Sequence, residues 1–508
     1  ALLSFFSSLS FAQDEQVTVI GSLIKGTPID TGSPISTFSA EEIGAQGNLN
    51  IVELIKMVPG SSGMDGEANQ FGSNAAEGIA NVNLRGLGTN RTLVLVNGRR
   101  QVTVPIATGA GRSVNLHDLP MAALSRIEIL KEGAAATYGS DAIAGVVNFI
   151  TDSTFEGLRV NVAGKGIANT EQDGNEFSIT YGTALDDGTN FLLSLGSQKK
   201  GELRAANTDY VRRSFTENGV GGWSSFGNPG TFVFKLDDGN ANTAAPTAYL
   251  GDPGCNAAGG YAQLLSADGK IDHKDAQGNV TSETNTNGYH TLCRYQYAYF
   301  DNVQEEQTNS QLWMEFNGDV NGEHDFHVEF SYGKTNVPNY ATSPSYPPNN
   351  PTATVVPNSH PALQALYLQH PNFANTLKGT AFGGTGTDQR AAHAMFARPF
   401  AVAGNPNGNT NGAEIEFRKY DVVRFGFDFE GSLADGIDYR TGLTYSQSEG
   451  DYTFSDTQQN KYNASLWGFG GPNCPYELTA LSATGVPTMT HTDGVTGNAD
   501  LADPRPTG

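Results

Sequence analysis

The chain has 508 residues, a formal net charge of −23 at neutral pH, 61 glycines and only 16% charged side chains. So acidic a chain has nothing to offset phosphate repulsion, which excludes a generic nucleic-acid binder. No apolar run reaches the roughly 18–20 residues of a membrane helix, and the glycine and aromatic enrichment argues against disorder and for many short strands.

Residues 1–12 read as the remnant of a signal peptide: an apolar stretch ends in the small-x-small site Ser10-Phe11-Ala12, followed at once by Gln13-Asp14-Glu15. Export makes disulfides permissible. The missing charged leader, the stop at Pro504-Arg505-Pro506-Thr507-Gly508 and an odd count of three cysteines lead us to expect a fragment.

From 30 to 152 the signals alternate between helix and strand. Ser39 and Glu42 have capping-box spacing, as do Asn50 and Glu53. Ile51, Leu54, Ile55 and Val58 then form a helical stripe that Pro59-Gly60 ends. Thr92–Val96, Asn97-Gly98 and Arg99–Val102 read as a hairpin around a type I′ turn. Pro120 opens a helical turn before Met121, Arg126–Leu130 alternates like a strand, and Gly145–Ile150 reads as the last strand of the domain.

From 153 to 508 the period changes to two. Val423, Phe425, Phe427 and Phe429 oppose Arg424, Gly426, Asp428 and Glu430. Ile437, Tyr439, Leu443 and Tyr445 oppose Asp438, Arg440, Thr444 and Ser446. Phe326, Val328, Phe330 and Tyr332 oppose His327, Glu329, Ser331 and Gly333; Leu312, Met314 and Phe316 oppose Gln311, Trp313 and Glu315. Segments around Leu158, Phe177 and Phe191 repeat the scheme, giving about seven strands. Links at 186–189, 317–323 and 434–436 are short, whereas those expected at about 200–308, 335–416 and 450–508 are long. Short turns at one rim and long loops at the other describe an outer-membrane barrel. Seven strands cannot enclose a folded domain, so further strands are expected beyond Gly508.

Five ordered blocks carry a family resemblance: Asn83–Gly88, Leu93–Gly98, Ile127–Gly133, Tyr138–Ala142 and Gly145–Thr151. They resemble the plug of TonB-dependent outer-membrane receptors, and Glu15, Gln16, Val17, Thr18, Val19 and Ile20 resemble the TonB box within a linker at 13–29. The resemblance implies a membrane β-barrel, 22-stranded in the family, with an N-terminal mixed α/β plug domain inside. It implies TonB-dependent active uptake of a scarce ligand (siderophore, oligosaccharide, vitamin or peptide) across the bacterial outer membrane. The implied partners are the periplasmic domain of TonB from the inner-membrane energising complex, outer-membrane lipid and lipopolysaccharide, and the transported small ligand. It implies neither a cofactor nor enzymatic catalysis. Arg85 and Arg126 correspond to plug arginines that dock on barrel-wall carboxylates, which are expected in the part of the barrel beyond Gly508. The runner-up reading is an exported all-β carbohydrate-binding protein, adhesin or enzyme. A sandwich of that kind would bury Phe425, Phe427 and Phe429 against a second sheet.

Other constellations are weaker. Cys255 and Cys293 share the first long loop, where export favours a disulfide, and Cys474 is left over. His324, His327 and Glu329 suggest metal ligands, yet on a strand the two histidines face opposite sides, so no metal is expected. Asp268–Asp272 lacks the glycine and closing glutamate of a calcium loop, and Gly109–Arg112 lacks the lysine of a phosphate loop. Loop aromatics such as Trp223, Phe226, Tyr295, Tyr297 and Tyr299 suit loop packing or ligand stacking; no residue names a ligand.

Overall fold

The computed structural model describes residues 35–39, 55–56, 60–62, 77–106, 111–131, 134–166, 173–185, 188–209, 213–217, 222–225, 230–235, 247–264, 270–274, 280–284, 291–342, 355–356, 365, 368, 392–395, 414–434, 437–453, 476–481, 487–491 and 496–498. The signal remnant, the TonB-box segment, Phe226, Cys474 and most of the helix expected over 51–58 lie outside these; Ile55 and Lys56 of that helix are described and helical.

The N-terminal domain is built on a five-stranded sheet of β1 (Ile35–Ser39), β2 (Thr92–Val96), β3 (Arg99–Arg100), β4 (Leu124–Leu130) and β5 (Gly145–Thr151), in the order β1-β4-β5-β2-β3. β2 runs parallel to β5, while β4 is antiparallel to both β1 and β5. All five residues of β2 are buried, as expected of a strand covered on both faces. The β2–β3 hairpin turns at Asn97 and Gly98, both at positive φ (49° and 77°), which a type I′ turn requires. Pro120 precedes a single 3₁₀ turn, Met121–Ala123, that feeds directly into β4.

The second half is a seven-stranded antiparallel meander. Its strands are β6 (Gly157–Gly166), β7 (Asp173–Ala184), β8 (Asn190–Lys200), β9 (Gln307–Val320), β10 (His324–Thr342), β11 (Glu414–Ala434) and β12 (Ile437–Tyr452), each paired with its neighbour in that order. Register shows what the alternation does. Leu158, Tyr181, Leu193, Met314, Phe330, Phe425 and Tyr445 form one continuous row across all seven strands. The adjacent row is Arg159, Thr180, Ser194, Trp313, Ser331, Arg424 and Ser446. In the first row Leu158 is 64% exposed and Phe425 38%; in the second, Trp313 is 1% and Arg424 0% exposed. The apolar row therefore faces outward and the polar row faces the N-terminal domain. This is the reverse of a sandwich, which would hide Phe425 against a second sheet.

Two wall strands run further than the apolar pattern. β10 continues to Thr342 and β11 begins at Glu414, inside the span expected as loop at 335–416. There the outward positions become Lys334, Asn336, Lys419 and Asp421, while the ladder pairing continues. The span 200–308 also contains structure: a small sheet joins Trp223–Ser224, Thr291–Gln296 and Tyr261–Leu264. A disulfide links Cys255 to Cys293 with 5.7 Å between Cα atoms.

The core of the N-terminal domain gathers Val94, Val96, Ile127, Ile129, Val147 and Phe149, all nearly or fully buried. The wall contributes to that same cluster through Leu192 and Trp313. A second apolar contact joins Ile79 and Val104 to Tyr420 on the wall, so apolar patches anchor a contact that is elsewhere polar.

Candidate functional site

The interface between the N-terminal domain and the inner wall face is the most elaborated site among the described residues. Near one end Arg418, fully buried on β11, donates from Nε to Glu77 (3.2 Å) and from Nη2 to Glu416 (2.8 Å). Its guanidinium lies 4.5 Å from the Tyr340 ring centre, and Nη1 donates to the carbonyls of Phe417 and Thr453. A charge without solvent is stable only with this many partners. The next residue, Gly78, sits at φ +83° so close to the wall that a Cβ would lie 2.7 Å from Val337. Beside it Glu305, hydrogen-bonded to Asn302 at 2.7 Å, has its carboxyl pushed well above the usual range, first by burial and further by Glu77.

A second contact is the corner Asn115–Asp118. Asn115 donates to Thr335 on the wall (3.1 Å), and Asp118 rests on Gly333, where a Cβ would approach it within 2.7 Å. The direction of the hydrogen bonds fixes the state of His117. Gln307 Nε2 donates to the carbonyl of Gly78 (3.3 Å) and to Asn309 Oδ1 (2.8 Å). The Asn309 amide nitrogen therefore faces His117 Nδ1 at 3.2 Å, so that ring nitrogen accepts and the imidazole is neutral. Burial lowers the His117 pKa to about 3, in agreement. Burial raises the Asp118 carboxyl well above its ordinary range, with Asp421 adding to the effect.

The third contact is a cluster on three adjacent wall strands, in which Glu315, Glu329 and Arg424 are buried and His327 is half-buried. Arg424 Nε donates to Glu329 (2.6 Å), and its Nη1 donates to the carbonyl of Arg100 (2.6 Å) and to Gln101 (3.3 Å). Asn97 reaches Glu329 from the β2–β3 turn (3.3 Å), and Thr151 donates to Glu315 from the end of β5 (2.6 Å). Below it Arg99 forms an ion pair with Asp428, with Nε donating at 3.1 Å.

Arg85 donates to the carbonyl of Ile143 (2.8 Å), and Arg126 to Glu128 (2.9 Å), both within the plug. The ion pairs that reach the described wall strands use Arg99 from the plug and Arg418 from the wall. The alternation marks the inward charges Glu329, Arg424 and Asp428, but not the plug groups they meet. His324 turns outward to Tyr439 and Phe429, whereas His327 turns inward. Among the described residues no cluster of histidine, cysteine and carboxylate side chains is arranged to hold a metal ion.

A wall apolar outside, polar inside and bonded across its inner face to a mixed domain defines a plugged outer-membrane barrel. Residues 27–146 match the family model described as TonB-dependent Receptor Plug Domain. An iron-regulated outer membrane virulence protein of Vibrio cholerae is 32% identical over 158 residues, 29% of this chain and 22% of that protein. The vitamin B12 transporter BtuB of Photobacterium profundum is 25% identical over 293 residues, 57% of this chain and 40% of that transporter. The matched stretches thus span less than half the length of these curated relatives. A solved ferric enterobactin receptor, PfeA of Pseudomonas aeruginosa, aligns over 83% of this chain and 49% of that one, at 14% identity and a TM-score of 0.36. Residues 27–146 are thus similar to the plug domain of TonB-dependent receptors, and the curated relatives that the chain resembles are an outer membrane protein and a transporter.

Proposed function

We propose that this receptor takes up a scarce small ligand across the outer membrane, driven by TonB acting on residues 15–20. One observation carries the reading: the inner wall face is committed to a plug, through a buried ion pair at Glu77–Arg418 and a half-buried one at Arg99–Asp428. A barrel wide enough to hold a folded domain would leak without it, and a stoppered pore moves cargo only when the stopper is displaced. The segment Glu15–Ile20 is β-prone and carries one charge, and is suited to strand addition on a periplasmic partner. Outer-membrane lipid and lipopolysaccharide surround the outward rows. The Cys255–Cys293 disulfide braces the first long loop on the ligand side.

The ligand lies among siderophores, oligosaccharides, vitamins and peptides. The relatives named above, one iron-regulated and one a vitamin B12 transporter, put ferric chelates and corrinoids first in the assay. The matched stretches cover less than half of either relative, and loops choose ligands, so the relatives rank candidates without naming one. The test is growth or uptake on those ligands with the complete receptor, wild type against a deletion of 15–20. The deletion abolishes uptake while ligand still binds to cells. Undiminished uptake would refute the assignment.

A further inference from the structure

The inner-wall cluster of Glu315, His327, Glu329 and Arg424 has a property that the remaining plug contacts lack. Its charges all belong to the wall, yet it holds the plug. The protonation of His327 follows from hydrogen-bond directions. Asn317 donates its amide nitrogen to Glu315 Oε1 at 2.7 Å, since the reverse orientation would set its carbonyl against a carboxylate. Its Oδ1 therefore faces His327 Nδ1 at 2.6 Å, and that ring nitrogen must donate. The other ring nitrogen, Nε2, faces Glu329 Oε2 at 3.1 Å, again an acceptor. Both nitrogens carry protons, and the ring is an imidazolium. Two carboxylates are then balanced by two cations, in a site where Glu315 and Glu329 are each 1% exposed and Arg424 is fully buried.

Every wall group in the balance has a defined second task. Glu315 Oε2 accepts from Trp313 Nε1 (2.9 Å) and from Thr151 of the plug. Glu329 accepts from Asn97 of the plug, and Arg424 donates to the plug backbone at Arg100. The charged groups facing His327 are Glu329 on its own strand, Glu315 on β9 and Arg424 on β11. The Arg99–Asp428 pair lies one step further along the wall, with Arg440 within 3.9 Å of Asp428. If the imidazolium is discharged, two buried carboxylates face one guanidinium. The surplus charge must be hydrated, and water enters where Thr151 and Asn97 now bond.

We infer that Glu315, His327, Glu329 and Arg424 form a charge-balanced anchor that fixes the β2–β3 turn, β3 and β5 of the plug to the wall, and that its hold depends on the proton on His327. The inference needs only the plug seated on the wall. It is independent of the ligand and of TonB, so a failed uptake assay leaves it standing.

The experiment measures ion conductance of the complete receptor in planar lipid bilayers from about pH 6 to about pH 9, the range over which a histidine charge is lost. Wild type is sealed at the acid end, and its conductance rises as the pH is raised. His327→Gln leaks at every pH, roughly tenfold or more above wild type at the acid end, because one partner of a buried cluster has gone. His327→Lys keeps the charge and flattens the profile in the sealed state. The decisive variant is the double change His327→Gln with Glu315→Gln, which removes one charge of each sign and restores a sealed, pH-flat barrel. A merely structural histidine predicts the opposite, with the second change adding to the leak. A wild-type barrel equally sealed across the whole range, or a double variant as leaky as His327→Gln, overturns the proposal. The wild-type titration decides even if a variant fails to insert. Deleting 15–20 leaves conductance unchanged, which separates this result from the transport assay.

Discussion

The two faces of the seven-stranded wall use one alternating sequence for opposite kinds of adhesion. Outward, the row from Leu158 to Tyr445 offers area without direction, since lipid has no fixed partner to meet it. Inward, the adjacent row and its neighbours offer direction: Arg418, Arg424, Glu329 and Thr335 each bond an identified plug atom or a group that does. The outer face should therefore tolerate any apolar exchange and the inner face almost none. The sharpest way to break the comparison is Arg418→Met, which keeps the length of the side chain and removes its charge. Glu77 and Glu416 are left buried without a cation, a change that costs about 3–5 kcal/mol. We expect amide exchange at residues 77–80 to accelerate while the β4–β5 ladder keeps its protection. Adding Glu77→Gln and Glu416→Gln should recover most of the loss. If it does not, stacking on Tyr340 rather than charge holds the site.

The complementary change is made on the outer face. Phe427→Arg places a cation in the apolar band, between Phe425 and Phe429 in the outward series of β11. The expected cost is about 2–4 kcal/mol if the site lies near the bilayer midplane. Urea titration of folding into lipid vesicles measures it, and Phe427→Leu is the control that should fall well below that range. Equal losses for the two would mean that Phe427 packs specifically, and the contrast between the faces would weaken.

How far these faces were legible in the sequence follows from where the signal resides. Period two is a local property, so strand direction could be read, as could the turn at Asn97-Gly98 and the inward placement of Arg424 and Glu329. The ends of β10 and β11 could not. Beyond Tyr332 and just before Val423 the outward residues Lys334, Asn336, Asp421 and Lys419 are polar, the apolar alternation is interrupted, and ladder pairing carries the strand through. Which inward charge meets which plug residue was equally hidden, because Arg418 and Glu77 are separated by 341 positions. Arg85 and Arg126 came from resemblance alone, and no local pattern could have said that within the described residues they bond to Ile143 and Glu128.

The smallest effect tests the neutral histidine against the charged one. His117 is buried at the same interface as His327, but Asn309 donates to it, and its pKa falls to about 3 against an ordinary 6.5. The unfolded chain therefore binds a proton as the pH drops below about 6.5, and the folded plug does not until about 3. Stability is complete above the unfolded value and declines through that window on acidification, by about 2 kcal/mol at pH 5 at roughly 1.4 kcal/mol per pH unit. Asp118 acts in the other sense. Its carboxyl is raised, so its protonated form is favoured in the folded state and its contribution falls as the pH rises above 3.8. Whole-protein curves mix the two, and comparison with His117→Gln separates them. The variant should lose the His117 share of the acid-side slope in plug stability, measured by urea titration with exchange read at residues 111–130. An unchanged slope would place a donor opposite Nδ1 in doubt and reverse the orientation assigned to Asn309. That reversal would have to run back through Gln307 to the carbonyl of Gly78, which can only accept. The neutrality of His117 is therefore tied to the same glycine that lets the plug touch the wall.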